Sequence, residues 1–139
     1  MVGVIALVSG ASAVFFGSVL LRAWLRHGGA SGTSHFRRLQ ILGHGAIGIL
    51  AVVLVAIHLA VGRDPRWGWT AVVLLVAAGI LGATMYLPWW WRGRKGLYGD
   101  HDPAGFYPAE DHFQRRTVLT HGAFADLTWV LLIVTLLVT

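Results

Sequence analysis

Four long runs of apolar residues, separated by shorter polar stretches, dominate the pattern of this chain. The runs cover residues 2–25, 39–61, 69–91 and 117–138. Each is close to the length of about 20 residues that an α-helix needs to cross the apolar core of a bilayer. The pattern therefore predicts an all-α membrane protein with a single domain, residues 1–139, folded as a four-transmembrane-helix bundle.

Composition supports this class and excludes several kinds of site. The chain is 56% hydrophobic and only 12% charged, so a soluble domain of 139 residues would lack the polar surface that it needs. It has no cysteine, which excludes disulfides, thiolate metal sites and covalent attachment of a c-type haem. The net charge of +5 does not indicate nucleic acid as a partner, because the basic residues lie between the apolar runs.

Charge is distributed unevenly between the two ends of the predicted bundle. One end has only Arg63 and Arg66. The loops at the other end carry nine basic residues: Arg22, Arg26, Arg37, Arg38, Arg92, Arg94, Lys95, Arg115 and Arg116. The positive-inside rule then predicts that these basic loops are cytoplasmic and that both termini are outside. Ten of the eleven basic residues are arginine, which we take as an indication of a bacterial source and thus of the inner membrane.

A sequence repeat marks the start of the second and fourth helices. Residues 34–46 and 111–123 align without a gap and share His-Phe, an arginine and His-Gly-Ala. The alignment pairs His44 with His121, 77 positions apart. It predicts a duplicated two-helix hairpin, with repeat units 1–62 and 69–139. Because each unit has an even number of helices, the units are related by an axis along the membrane normal, which places the paired histidines at equal depth.

A histidine inside a membrane helix is costly and marks a candidate functional site. Two of them at equal depth, on helices that face each other across an axis, would supply both axial ligands of one haem b iron, so His44 and His121 are the predicted cofactor and metal ligands. Gly48 and Ala125, one turn further on, are small enough to leave clearance for a macrocycle. The arginines about two turns toward the cytoplasm suit the haem propionates; they are Arg37, Arg38, Arg115 and Arg116.

Other interpretations of the paired histidines stay open at this point. Each histidine could simply hydrogen-bond a neighbouring helix, as expected of a cofactor-free accessory or assembly subunit. Each could bind the magnesium of its own chlorophyll-type pigment. The pair could also hold copper or another bare metal, or line a proton path.

The spacing His44-x13-His58 on one transmembrane helix resembles the ligand helix of respiratory cytochrome b, in which two such helices hold two stacked haems. The resemblance is limited to helices 2 and 4, and Thr135 occupies the position equivalent to His58. It therefore implies one haem on the cytoplasmic side and gives no ligand pair for a second haem. His58 is left as a candidate for a quinone or a second site, together with Asp126, whose equivalent in the first unit is Ile49.

The predicted function is a b-type cytochrome that carries electrons within a larger redox complex, with exchange to quinone. No nucleotide or flavin motif is present, so an electron-transfer subunit is favoured over a self-contained enzyme.

Two further predictions concern the loops. Ser34 and Asp111 are predicted N-caps that place His35 and His112 in the first helical turn. Asp100, His101 and Asp102 are interpreted as part of a solvated docking loop rather than a metal site.

Overall fold

The protein is built almost entirely from α-helices. The computed structural model describes residues 1–62, 64–94 and 108–138, so the motif at residues 100–102 lies outside the described residues. Four long helices are α1 (Val2–Arg26), α2 (Arg38–Ala60), α3 (Pro65–Arg94) and α4 (Arg115–Leu137). Two short 3₁₀ helices, Gly29–Ser31 and Ala109–His112, precede α2 and α4. The four long helices have the length and apolar composition needed to cross a membrane, which confirms the all-helical prediction at that level.

Neighbouring helices run antiparallel around the bundle. Gly3, at the start of α1, lies against Thr135 near the end of α4, whereas Gly17 lies against His121 near its start. α1 packs mainly on α4 and α2 mainly on α3, while the contacts of α1 with α2 and of α3 with α4 are smaller. α2 and α4 therefore lie across one diagonal of the bundle. We call the end at which α2 and α4 begin the basic end.

Small residues allow the helices to pack closely in the part of the core away from the basic end. Ala6 and Ala71 are completely buried and lie in one apolar cluster. The cluster is completed by Leu54, Val55, Val72 and Leu132. On the outside, large apolar side chains remain exposed, for example 58% of Val4 and 62% of Ile80. Such a surface suits lipid, and close approach at small residues is how helices associate where lipid is as apolar as the side chains.

The predicted N-caps Ser34 and Asp111 are wrong. α2 begins at Arg38 and α4 at Arg115, so the N-caps are Arg37 and Gln114, three residues later in each case, and neither has a side-chain cap hydrogen bond. His35 therefore lies in the loop before α2 and not in its first turn. Ser34 does not cap α2 because its hydroxyl already makes hydrogen bonds to two other parts of the chain, Trp24 and Glu110.

A buried carboxylate organises the basic end. Glu110 is 0% exposed, and its carboxylate accepts hydrogen bonds from the Ser34 hydroxyl at 2.7 Å and the His35 backbone N–H at 2.9 Å. The indole N–H of Trp24 donates to the Ser34 oxygen at 2.9 Å, and that of Trp89 donates to the Glu110 carbonyl at 3.2 Å. The loop before α2 is thus fixed to the segment before α4, and this sets where both helices enter the bundle.

Candidate cofactor site

The structure brings His44 and His121 together across the α2–α4 diagonal. Their ring centroids are 5.8 Å apart and the ring planes are inclined by 80°. Each histidine is six residues beyond the first residue of its helix, which corresponds to about 9 Å along the axis. Both rings are partly buried and lie at the same level within the bundle.

The two imidazoles are held by equivalent bonds. Nδ1 of His44 lies 2.9 Å from the carbonyl oxygen of Ala78 on α3. Nδ1 of His121 lies 2.8 Å from the carbonyl oxygen of Ala13 on α1. A carbonyl can only accept, so each Nδ1 carries the proton and donates it. Nε2 is then the unprotonated nitrogen of each neutral ring, with its lone pair available as a ligand.

A glycine makes room for each ring one turn beyond its carbonyl partner. A Cβ built on Gly82 would lie 3.1 Å from Cε1 of His44, and one built on Gly17 would lie 3.1 Å from Cε1 of His121. At either position an alanine would therefore press on the imidazole. Ala78 and Gly82 on α3 each lie 65 positions after Ala13 and Gly17 on α1.

These partners of the histidines were not identified from the sequence, although a signal for them exists. Ala13-x3-Gly17 in α1 and Ala78-x3-Gly82 in α3 are the same small-residue pattern, and each by itself is typical of helix packing. An ungapped comparison of α1 with α3 at an offset of 65 residues would have paired them. The same offset pairs the buried Trp24 with the buried Trp89, and Gly3 with Gly68.

The surroundings of the two histidines differ. Gly48, one turn beyond His44, has no atom within 4 Å of a built Cβ, so the space next to it is open. Its counterpart Ala125 is partly buried. Phe16 and Phe124, which lie next to Gly17 and three residues after His121 in the sequence, stack with ring centroids 5.9 Å apart. Aromatic rings are thus found on α1 and α4, and open space is found beside Gly48 on α2.

The four arginines predicted near the site are exposed at the basic end. They are Arg37, Arg38, Arg115 and Arg116. The guanidinium carbon of Arg115 lies 4.1 Å from the centroid of the Trp90 ring, which is a cation–π contact. That contact draws Arg115 to the α3–α4 edge of the bundle.

The second repeated histidine pair, His35 and His112, does not join this site. His35 Nδ1 lies 2.9 Å from the Glu110 carboxylate. His112 stacks on His27 with ring centroids 3.7 Å apart and planes inclined by 11°. Desolvation in this contact, with a smaller effect of the neighbouring His27, lowers the pKa of His112 below its usual value. Both residues belong to the loops of the basic end.

His58 lies in the other half of α2 and has a different environment. It is 14 residues from His44, or about 21 Å along the helix axis. Its side chain is 0% exposed, its Nδ1 donates to the Asp64 carbonyl at 2.9 Å, and its Nε2 is buried without a hydrogen-bond partner among the described residues. The equivalent Thr135 donates to the Leu131 carbonyl at 2.8 Å. The structure thus places His58 away from the paired histidines.

Within the described residues, no three His, Asp or Glu side chains are grouped so that they could hold a metal ion. A porphyrin brings four nitrogen ligands of its own, so two histidines are enough to complete the six ligands of a haem iron. Comparisons of the chain with protein-family models, curated proteins and solved structures found no match. The function must then be argued from the residues of the site.

Proposed function

We propose that the chain is a small membrane b-type cytochrome that binds one haem b between His44 and His121 and carries electrons within a larger redox complex. The observation that carries the proposal is the pair of imidazoles whose Nδ1 atoms donate to helix carbonyls, with ring centroids 5.8 Å apart. In this arrangement Nε2 of each ring makes no hydrogen bond to the described residues.

The spacing of the rings would allow both imidazoles to hold one metal atom. Two bonds of about 2 Å from imidazole nitrogen to metal would put the two nitrogens about 4 Å apart, and the ring centroids about 6 Å apart. Metal-bound histidines commonly donate their other N–H to a carbonyl, which fixes the tautomer and the orientation of the ring. The Ala13 and Ala78 carbonyls perform this role here.

The surroundings of the rings also suit a bound macrocycle. Haem supplies a one-electron ferric–ferrous couple when bound. The open space at Gly48 would give the edge of a planar group clearance. Arg37, Arg38 and Arg116 offer cations for propionates at the basic end.

We further propose how the chain arose and how it is oriented in the membrane. The two histidines are 77 positions apart on α2 and α4, and the glycines that they contact are 65 positions apart on α1 and α3. These equivalent contacts support a duplicated hairpin with units 1–62 and 69–139. The basic end is proposed to be cytoplasmic and both termini external, in the inner membrane of a bacterium, on the basis of the distribution of arginine.

The proposed exchange partners are other subunits of a redox complex and a membrane quinone. Haem supplies one-electron chemistry when bound, and a haem within the membrane would exchange electrons with groups there. His58 is fully enclosed, and a quinone carbonyl would reach its Nε2 only if the helices separated. We therefore place quinone exchange at the haem and not at His58.

The alternative is a cofactor-free accessory or assembly subunit, and one observation favours it. Each imidazole already joins two helices through its Nδ1 bond, α2 to α3 and α4 to α1. Such interhelical bonds contribute to the stability of a membrane bundle without any cofactor. The two functions differ in whether the purified protein contains haem.

A pyridine haemochrome assay with stoichiometry tests the proposed function directly. We expect one haem b per chain in protein purified from haem-replete cells, with a Soret band and a sharp α band after dithionite reduction. The same fractions should remain monodisperse on size exclusion, which establishes that the protein is folded. A folded but colourless preparation would instead support the accessory subunit.

Gly82→Ala should disturb haem binding more than Gly79→Ala in the same helix. The new Cβ at position 82 lies 3.1 Å from the His44 ring, whereas a Cβ at position 79 has no atom within 4 Å. Displacing the ring from its preferred rotamer costs about 1 kcal/mol, so we expect haem affinity to fall about three- to tenfold. Haem transfer to apomyoglobin measures the effect. If both variants lose haem to apomyoglobin equally fast, Gly82 does not contribute to the haem site.

A further inference from the structure

Asp126 is the central residue of α4 and points away from the bundle interior. It is 11 residues from both Arg115 and Leu137, the two ends of the helix. Its side chain is exposed, whereas Thr128, two residues on and thus about 200° around the helix, is only 1% exposed. In a membrane the Asp126 carboxyl group would face lipid near the middle of the bilayer.

This carboxyl group has no partner among the residues that the structure describes. Neither of the two ion pairs found there involves Asp126, and no side-chain hydrogen bond reaches it. A carboxyl group that faces lipid at this depth is costly, and such groups generally pair with another polar group. The described part of the chain therefore provides no hydrogen-bond or ion-pair partner for Asp126.

The other half of the bundle shows that neither the fold nor the paired histidines require a carboxylate here. Ile49 occupies the equivalent position on α2 and is 52% exposed. Val52 occupies the position equivalent to Trp129. The outer face of α2 is thus an ordinary lipid-facing surface, and the polar groups are specific to α4.

The surface around Asp126 combines an acceptor, a donor and small residues. Trp129 is 39% exposed and lies one turn from Asp126, about 4.5 Å along the axis and about 60° around it. Gly122 and Ala123 lie one turn away on the other side, and they would let another helix approach closely. We call this surface the Asp126 face, consisting of Leu119, Gly122, Ala123, Asp126, Trp129 and Val130.

We propose that the Asp126 face binds the same face of a second copy of this chain. Two copies inserted in the same direction bring equal depths together, so a twofold axis along the membrane normal makes the contact reciprocal. Asp126 of each copy then accepts a hydrogen bond from the Trp129 indole N–H of the other. The described basic residues lie at the ends of the helices, so a second copy satisfies Asp126 by this indole and not by a cation.

The absence of cysteine from the chain makes the proposal testable by single-cysteine cross-linking of the full-length protein in native membranes. Ala123→Cys places a thiol on the Asp126 face, and Ala46→Cys places one at the equivalent exposed position of α2. We expect mild oxidation to give a disulfide-linked dimer with Ala123→Cys, at least fivefold more than with Ala46→Cys.

Second-site variants in the Ala123→Cys background test the polar contact itself. Asp126→Ile, which restores the residue found on α2, and Trp129→Phe should each reduce the cross-link at least threefold. Asp126→Asn keeps an acceptor oxygen and should retain the cross-link. The proposal is overturned if Ala123→Cys stays monomeric, if it cross-links no better than Ala46→Cys, or if it is captured by a different membrane protein. These outcomes are independent of haem content.

Discussion

Replacing either His44 or His121 with alanine is expected to abolish the low-spin haem spectrum of the purified protein. Each variant removes one of the two axial ligands of the proposed haem, and the remaining imidazole alone cannot give a six-coordinate site. Loss of a group that merely supports a metal ligand already costs about 10–100-fold in affinity, so loss of the ligand itself should cost at least that much. The ratio of Soret to protein absorbance at equal protein concentration measures the loss.

His58→Ala is the matched control for these two variants, because it removes a histidine of α2 that lies about 21 Å along the helix from His44. We expect it to keep both the haem stoichiometry and the position of the α band. The ligand assignment would be overturned by the reverse result, in which only His58→Ala loses the spectrum. Retention of full haem content by both His44→Ala and His121→Ala would have the same consequence.

Glu110→Ala should lower the free energy of unfolding by about 3 kcal/mol. The carboxylate is 0% exposed and accepts bonds from the Ser34 hydroxyl and the His35 backbone N–H. Hydrogen bonds to a charged group each contribute about 1.5–3 kcal/mol, and donors left buried without an acceptor add a penalty. Thermal unfolding in detergent, followed by circular dichroism, measures the change.

Glu110→Gln separates the loss of the acceptor from the loss of the charge. The amide oxygen can still accept from the His35 N–H. The amide nitrogen cannot accept from the Ser34 hydroxyl, whose oxygen already accepts from Trp24 and Phe36. One bond is kept and one is lost, so we expect a loss of about 2 kcal/mol, below that of the alanine variant. If the two variants unfold at the same temperature as the unchanged protein, Glu110 is not the group that fixes the loops of the basic end.

Much of the helical architecture could be predicted from the sequence, because hydropathy over about 20 residues identifies a span without any knowledge of its neighbours. The paired histidines could also be predicted, since the repeat sets His44 and His121 at the same point of two parallel helices. The starts of α2 and α4 could not. Ser34 has the chemistry of an N-cap, and only the folded chain shows that its hydroxyl is engaged by Glu110 and Trp24.

The partners of the histidines were harder to predict for a physical reason. In a membrane bundle both the buried and the exposed faces of a helix are apolar, so periodicity does not tell which face is inside. Ala78 and Gly82 therefore look like ordinary packing residues, although they support the His44 ring. The same ambiguity concealed the direction of Asp126, which could equally have faced the interior.

The two imidazole bonds link the halves of the chain and not the helices within a half. His44 joins the first hairpin to α3, and His121 joins the second hairpin to α1. The principal helix contacts, α1 with α4 and α2 with α3, likewise connect one half to the other. Most of the interior of each hairpin is therefore formed with the other hairpin. In a duplicated hairpin, the same contacts would have joined two identical copies, each contributing one histidine, before they became part of one chain.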